Sequence, residues 1–119
     1  MTTETDAGST NRSPTEPLHV ESESHLDDVI AERDVVLVDF FADWCGPCKM
    51  LEPILADLAE ETDATVAKVD VDQHQPLAAA YGVRGVPTLV LYADGEQVEQ
   101  HTGALPADRL RTLIENYTE

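Results

Sequence analysis

Two cysteines, Cys45 and Cys48, are the residues of this 119-residue chain best suited to chemistry, and they are its only cysteines. They lie three residues apart in the segment WCGPCK, where a helix is predicted to begin. A helix N-terminus stabilises an anion, so it lowers the pKa of a nearby thiol. We therefore expect Cys45 to be the exposed, activated thiol and Cys48 to lie deeper, at disulfide distance from it.

Other interpretations of the cysteine pair fit the sequence less well. An isolated Cys-x-x-Cys pair also suits a structural disulfide or two idle thiols, but the flanking strand, Trp44, Gly46 and Pro47 favour a redox pair. A structural zinc site needs four ligands, and no histidine has ligand spacing to the cysteines. The four histidines are His19, His25, His74 and His101. We therefore expect no metal and no other cofactor.

A carboxylate interrupts an otherwise apolar run at Asp39. The run is VVLVDFF over residues 35–41, which predicts a central strand buried on both faces. Burial raises the pKa of a carboxyl group, and Asp39 lies at the end of the strand nearest the cysteines. It is therefore a candidate proton acceptor for Cys48, and a buried carboxylate held by backbone donors is the alternative.

The elements that must position these residues follow from hydrophobic periodicity. Apolar residues three and four apart predict helices over 24–32, 46–61 and 107–117. A shorter helix around Leu77 is expected to end at Gly82, and Ser24 is the candidate N-cap of the first helix. Strands are predicted over 35–41, 65–71, 86–92 and 96–101. With Asp94-Gly95 as a hairpin turn, this order predicts an α/β fold whose central mixed sheet carries helices on both faces.

Composition and charge limit the classes of function. Leu, Ile, Val and Phe account for 29 of the 119 residues, enough for a folded core, and none of the 29 lies in residues 1–17. We therefore expect a disordered acidic tail over 1–17 and one folded domain over 18–119. The net charge of −17 argues against binding nucleic acid or an anionic membrane. No apolar run reaches the roughly 18 residues of a transmembrane helix, and no export signal is recognisable, so a cytoplasmic protein is expected.

The segment VDFFADWCGPCKMLEP resembles the thioredoxin family over a strand, the active-site motif and a helix. The resemblance continues through VAKVDVD, YGVRGVPTLVLY, DGE and TGAL, and so covers nearly all of residues 18–119. It implies a thioredoxin fold and a monomeric protein-disulfide reductase of general cell redox homeostasis. In that reaction Cys45 attacks the substrate and Cys48 resolves the mixed disulfide. The partners would be disulfide-containing client proteins and a thioredoxin reductase, because the chain has no nucleotide-binding motif.

The resemblance also implies roles for residues outside the cysteine pair. Asp39 stands at the position of the family's buried aspartate, and Lys68 resembles a lysine that tunes it. Pro87 matches a proline that is cis in the family and leaves the Val86 N–H and C=O free to pair with a substrate strand. With Pro87, an uncharged docking surface around Cys45 is expected to comprise Trp44, Gly46, Pro47, Val86, Gly103 and Ala104. The alternatives are an ordinary strand lysine at Lys68 and simple turn geometry at the two glycines.

Two other functions remain open from the sequence. One alternative is an oxidase or isomerase of the disulfide-isomerase type, but those families usually carry a histidine between the cysteines, where Gly46-Pro47 stands here. A binding module of the same fold often loses one cysteine, whereas this chain keeps both.

The acidic residues fall on predicted solvent-facing helix positions, such as Glu52, Asp57, Glu60 and Glu61, whereas Asp43 and Lys49 are the charges near the cysteines. Residues 18–119 contain 21 acidic and six basic side chains, a net charge of −15. This pattern is typical of proteins from salt-loving organisms, because molar salt screens the repulsion within such a surface. We therefore expect greater stability and activity in molar salt.

Overall fold

The computed structural model describes residues 14–118, so residues 1–13 of the predicted tail lie outside the described residues. The strands of the described chain are β1 (Leu18–His19), β2 (Val35–Phe41), β3 (Thr65–Asp70), β4 (Thr88–Ala93) and β5 (Glu96–Thr102). Its helices are α1 (Glu23–Glu32), α2 (Gly46–Glu61), α3 (Gln75–Ala80) and α4 (Ala107–Thr118). None of these helices is long and apolar enough to cross a bilayer.

The strands form one mixed sheet in the order β1-β3-β2-β4-β5. β3 is parallel to both β1 and β2, while β4 is antiparallel to β2 and β5 is antiparallel to β4. Every residue of the central strand β2 is buried, as its continuous apolar run predicts. The expected mixed sheet with helices on both faces is confirmed.

Successive residues of β2 point to opposite faces of the sheet. Val36, Val38 and Phe40 belong to the core cluster that contains the apolar residues of α1 and α3. Val35 and Leu37 belong to the cluster on the other face, with the apolar residues of α2 and α4. The same alternation places Asp39 and Phe41 on the α2 face. The helix that carries the two cysteines therefore lies on the face to which Asp39 points.

The predicted turns are confirmed by the backbone. Asp94 and Gly95 have φ of 52° and 85°, the paired positive values of a type I′ hairpin turn. Gly82 has φ of 71° directly after the C-cap of α3, where a left-handed residue ends a helix.

Three sequence predictions differ from the structure. β1 was not predicted, because two residues are too few to show alternation, and this strand forms only by pairing with β3. β4 begins at Thr88 and not at Val86, because Pro87 has no N–H to donate to a strand ladder. The N-cap of α1 is Ser22, whose hydroxyl accepts a hydrogen bond from the His25 N–H at 3.0 Å.

Candidate active site

The two cysteines lie at the N-terminus of α2, as predicted. Cys45 is the N-cap residue, and its Sγ accepts a hydrogen bond from the Cys48 N–H at 3.2 Å. Pro47 occupies the first turn, where its missing N–H leaves no helical hydrogen bond unmade. The two cysteines form a disulfide, with their Cα atoms 5.2 Å apart. The helix start thus places both sulfurs where the positive end of its dipole favours a thiolate.

The prediction that Cys45 is exposed is wrong for this disulfide form. Cys45 is 4% exposed and Cys48 is 1% exposed. Both belong to a small apolar cluster with Phe41 and Ala42, and Val86 packs against that cluster. Burial follows because the bonded sulfurs are covered by these neighbours. The expected order of depth is nevertheless present, since Cys45 is the less buried of the two.

The strand register places Lys68 of β3 beside Asp39 of β2. The Lys68 Nζ lies 3.6 Å from the Asp39 Oδ2, and the two side chains are 7% and 0% exposed. Neither Asp39 carboxylate oxygen accepts a hydrogen bond from another residue in 14–118. The backbone donors required by the alternative interpretation of Asp39 are therefore not found in the described chain.

The pKa of Asp39 lies well above its usual value in this setting. Burial raises the pKa of Asp39 to about 6, although the positive charge of Lys68 acts in the opposite direction. The negative charge of Glu52, on α2, raises the pKa of Asp39 further. A carboxyl group with such a pKa can both accept and release a proton under physiological conditions.

Lys68 is held within the site and does not point into solvent like an ordinary strand lysine. Its Nζ lies 4.3 Å from the centroid of the Phe41 ring, a cation–π contact, and Phe41 in turn packs in the cysteine cluster. The Nζ also lies 3.9 Å from the Glu52 Oε2. The sequence placed Glu52 only on a solvent-facing position, because nothing local indicates that its carboxylate reaches β3.

The predicted docking surface includes the segment before β4, where Val86 packs against the cysteine cluster. The Val86–Pro87 peptide bond is cis, and the Gly103 N–H donates a hydrogen bond to the Pro87 carbonyl oxygen at 2.7 Å. Gly103 has φ of 104°, a conformation that favours glycine, so turn geometry accounts for this residue type. The Val86 N–H and C=O form no backbone hydrogen bond with other residues of 14–118. They are therefore available to an added strand.

The remaining docking-surface residues lie at different depths. Trp44, Gly46, Pro47 and Ala104 are exposed, Val86 and Gly103 are half-buried, and Pro87 is buried. Val86 packs against the cysteine cluster.

Trp44 has a partner that the sequence did not reveal. It is 70% exposed, yet its Nε1–H donates a hydrogen bond to the Asp72 Oδ2 at 3.0 Å. The Asp72 N–H is bonded to the Asp70 Oδ1 at 2.9 Å, which orients the loop after β3. Trp44 and Asp72 are 28 positions apart, so only the folded chain brings them together.

The assembled site has the groups needed for thiol–disulfide exchange. A disulfide sits at a helix N-terminus, and a carboxyl group with a pKa near 6 lies buried on the same side of the sheet. Among residues 14–118, no three His, Cys, Asp or Glu side chains form a group that could hold a metal ion.

Comparison with known proteins identifies relatives over most of the chain. Residues 16–116 match the family model described as Thioredoxin. A thioredoxin of Chlamydia trachomatis is 45% identical over 101 residues, which cover 84% of this chain and 98% of that protein. A thioredoxin of Staphylococcus saprophyticus is 43% identical over 98 residues, covering 81% of this chain and 93% of the relative.

Solved structures agree with the sequence relatives. A mutant thioredoxin from Halobacterium salinarum NRC-1 matches with a TM-score of 0.87 at 65% identity, covering 90% of this chain and 95% of that chain. The thioredoxin of Fasciola hepatica matches with a TM-score of 0.78 at 38% identity, covering 84% and 98%. Both matches span almost the whole of the other chain.

Proposed function

The chain belongs to the thioredoxin family of protein-disulfide oxidoreductases and has the fold of that family, and we propose that it works in the reducing direction on disulfide-containing client proteins. The observation that carries the proposal is the Cys45–Cys48 disulfide at the N-terminus of α2. Gly46 and Pro47 stand between the cysteines, and no histidine does, which favours reduction over oxidase or isomerase activity.

The proposed reaction begins with the reduced enzyme. The Cys45 thiolate attacks one sulfur of the client disulfide, the client S–S bond breaks, and the departing client sulfur takes a proton. The Cys48 thiol then gives its proton to Asp39, and its thiolate attacks the Cys45 Sγ. The bond between Cys45 and the client breaks, so the client gains two electrons and the enzyme keeps the Cys45–Cys48 disulfide. A thioredoxin reductase returns the two electrons.

Asp39 is proposed as the proton acceptor and Lys68 as the residue that tunes it. The 3.6 Å approach of Lys68 and the burial of both side chains support this assignment. A carboxyl group with a pKa near 6 is a better match to a thiol proton than an exposed aspartate, because proton transfer is most efficient when the two proton affinities are close.

The docking surface is proposed to hold an extended client segment beside the cysteines. Its support is the unpaired Val86 backbone among the described residues and the exposed Trp44, Gly46 and Pro47. A strand added at Val86 would supply main-chain hydrogen bonds without requiring a particular client sequence. Such sequence tolerance suits electron transport to several clients in general cell redox homeostasis.

We place this reaction in the cytoplasm and in residues 18–119. A reducing compartment keeps a dithiol available, and the chain has no cysteines beyond the redox pair.

Residues 16–116 match the family model, which supports a functional unit that excludes most of residues 1–17. A chain that starts at residue 18 should therefore retain the insulin-reducing activity of the full chain, and loss of that activity would contradict this boundary.

Trapping with Cys48→Ser tests the cysteine roles. This variant keeps the attacking thiol but lacks the resolving one, so it should accumulate mixed disulfides with clients that dithiothreitol releases. Cys45→Ser is the matched control and should trap none. Equal trapping by both variants would contradict the assignment of Cys45 as nucleophile.

An insulin-disulfide reduction assay with dithiothreitol separates enzyme from binding module. The wild-type chain should accelerate insulin precipitation well above the dithiothreitol background. A wild-type rate equal to background would remove the reductase proposal and leave the binding module.

A further inference from the structure

Lys68 lies near two carboxylates and not near one alone. Its Nζ is 3.6 Å from the Asp39 Oδ2 and 3.9 Å from the Glu52 Oε2. Asp39 is fully buried, Lys68 is 7% exposed, and Glu52 is 56% exposed. The three side chains therefore connect the interior of the site to the solvent-facing side of α2.

We propose that Glu52 is a positioning residue of the thiol–disulfide reaction. Glu52 shares the Lys68 ammonium with Asp39 and so controls the charge around Asp39 during proton transfer. The catalytic consequence of this proposal rests on the proposed role of Asp39 as proton acceptor. Its geometric part stands on the two ion-pair distances alone.

The distances show that Lys68 is not committed to Asp39. A Nζ–O separation of 3.6 Å is longer than a charge-assisted hydrogen bond, which is about 2.8 Å, and both Asp39 oxygens lack hydrogen bonds from residues 14–118. A second carboxylate near the same ammonium attracts it in competition with the first. Glu52 thus weakens the hold of Lys68 on Asp39 and adds a negative charge near the site.

Few other charged groups face Asp39. α2 contributes Glu52 and the two cysteines, which carry no charge as a disulfide, and β3 contributes Lys68. On β4 the register partner of Asp39 is Leu89. From α4, the buried residues on this face are Leu110 and Ile114. Glu52 and Lys68 are also the two charged groups that shift the pKa of Asp39, in opposite directions.

The test is a titration of Asp39 in the full-length disulfide form, followed by carboxyl-carbon NMR with ¹³C-labelled aspartate. The disulfide removes both thiols from the titration, and the measurement needs no turnover. Glu52→Gln keeps the shape of the side chain and removes its charge, so the pKa of Asp39 should fall by about half a pH unit. Glu60→Gln is the matched control, because it removes the same charge from an exposed position of the same helix and should leave the pKa of Asp39 almost unchanged.

Sharing through Lys68 is tested in a Lys68→Met background. If Glu52 acts through the ammonium, Glu52→Gln should change the pKa of Asp39 by less than half as much in that background as in the wild type. An equal shift in both backgrounds would overturn the sharing, and an equal shift from Glu52→Gln and Glu60→Gln would overturn any specific role of Glu52.

Salt provides an independent check because Glu52 is largely exposed. In 2 M KCl the screening length is below about 3 Å, so the difference between wild type and Glu52→Gln should shrink by at least half. An undiminished difference would contradict an electrostatic role.

In activity assays the pH profile of Glu52→Gln should move to lower pH by the same amount as the Asp39 titration. A moved titration with an unmoved profile would overturn the catalytic consequence, whereas an inactive wild type would overturn the proposed function itself.

Discussion

Asp39 shows how a single residue can oppose stability and support chemistry. It is a fully buried carboxyl group with no hydrogen-bond donor among the described residues, and its nearest cation stands 3.6 Å away. Ionising such a group costs free energy, because the water that would solvate the charge is excluded. The raised pKa of about 6 is the direct consequence, and it brings proton exchange into the neutral range.

Asp39→Asn should stabilise the protein at neutral and alkaline pH. The folded-state pKa of Asp39 is about 6 against a model value of 3.8, so the folded chain binds the proton more tightly than the unfolded chain. The resulting stability is fully present below about pH 4 and is lost as the pH rises through 6. We therefore expect Asp39→Asn to raise the free energy of unfolding by about 2–3 kcal/mol at pH 8 and by little at pH 4.

Guanidinium unfolding at the two pH values measures this difference. An equal gain at pH 4 and pH 8 would show that ionisation of Asp39 is not the cause. The same variant should resolve mixed disulfides more slowly than the wild type, by about 100-fold if Asp39 is the proton acceptor.

At the scale of elements, helix ends determine where the reactive groups stand. α2 begins at Gly46 with Cys45 as its N-cap, so the start of the helix sets the position of the sulfurs. α1 begins after Ser22, which caps it through the His25 N–H, and Ser24 lies inside the first turn. In both helices the side chain of the N-cap residue accepts a hydrogen bond from a backbone N–H that would otherwise lack a partner.

Ser22→Ala and Ser24→Ala should differ in their effect on stability. Loss of the Ser22 cap should lower the free energy of unfolding by about 1 kcal/mol, as for other N-caps. Ser24→Ala should be neutral or slightly stabilising, because alanine favours a helix interior. Thermal or chemical denaturation of the two variants decides between them, and a larger loss from Ser24→Ala would reverse the assignment of the cap.

On the scale of the whole molecule, a strongly acidic chain carries an apolar cluster at its cysteines. The chain carries a net charge of −17, while the cluster around the cysteines consists of Phe41, Ala42, Cys45 and Cys48. A net charge of this size destabilises a compact state by self-repulsion, and dissolved salt reduces that repulsion. One structural relative is a thioredoxin from Halobacterium salinarum NRC-1.

The melting temperature should rise as KCl increases from 0.1 M to 2 M. A variant with Asp57→Asn, Glu60→Gln, Glu96→Gln and Glu99→Gln removes four exposed negative charges and should show a smaller rise. A melting temperature that does not increase with salt would contradict the prediction. An equal increase in both proteins would attribute it to a general salt effect on apolar burial.

The sequence alone is enough to predict most of the helices and strands and the cysteine pair, because the relevant signals are local. The apolar run of β2, the helical periodicity of α2 and α4 and the Asp94-Gly95 turn predicted the elements to within two residues at their ends. The spacing of Cys45 and Cys48 predicted the disulfide for the same reason, since both cysteines lie in one helical turn.

Only the tertiary structure determined how distant residues meet. The two-residue strand β1, the pairing of Trp44 with Asp72 and the position of Glu52 beside Lys68 depend on contacts between elements far apart in the chain. The burial of Cys45 likewise depends on the packing of Phe41, Ala42 and Val86 around the disulfide. Hydrophobic periodicity states which face of an element is covered, but it carries no information about which polar atom on a neighbouring element comes within reach.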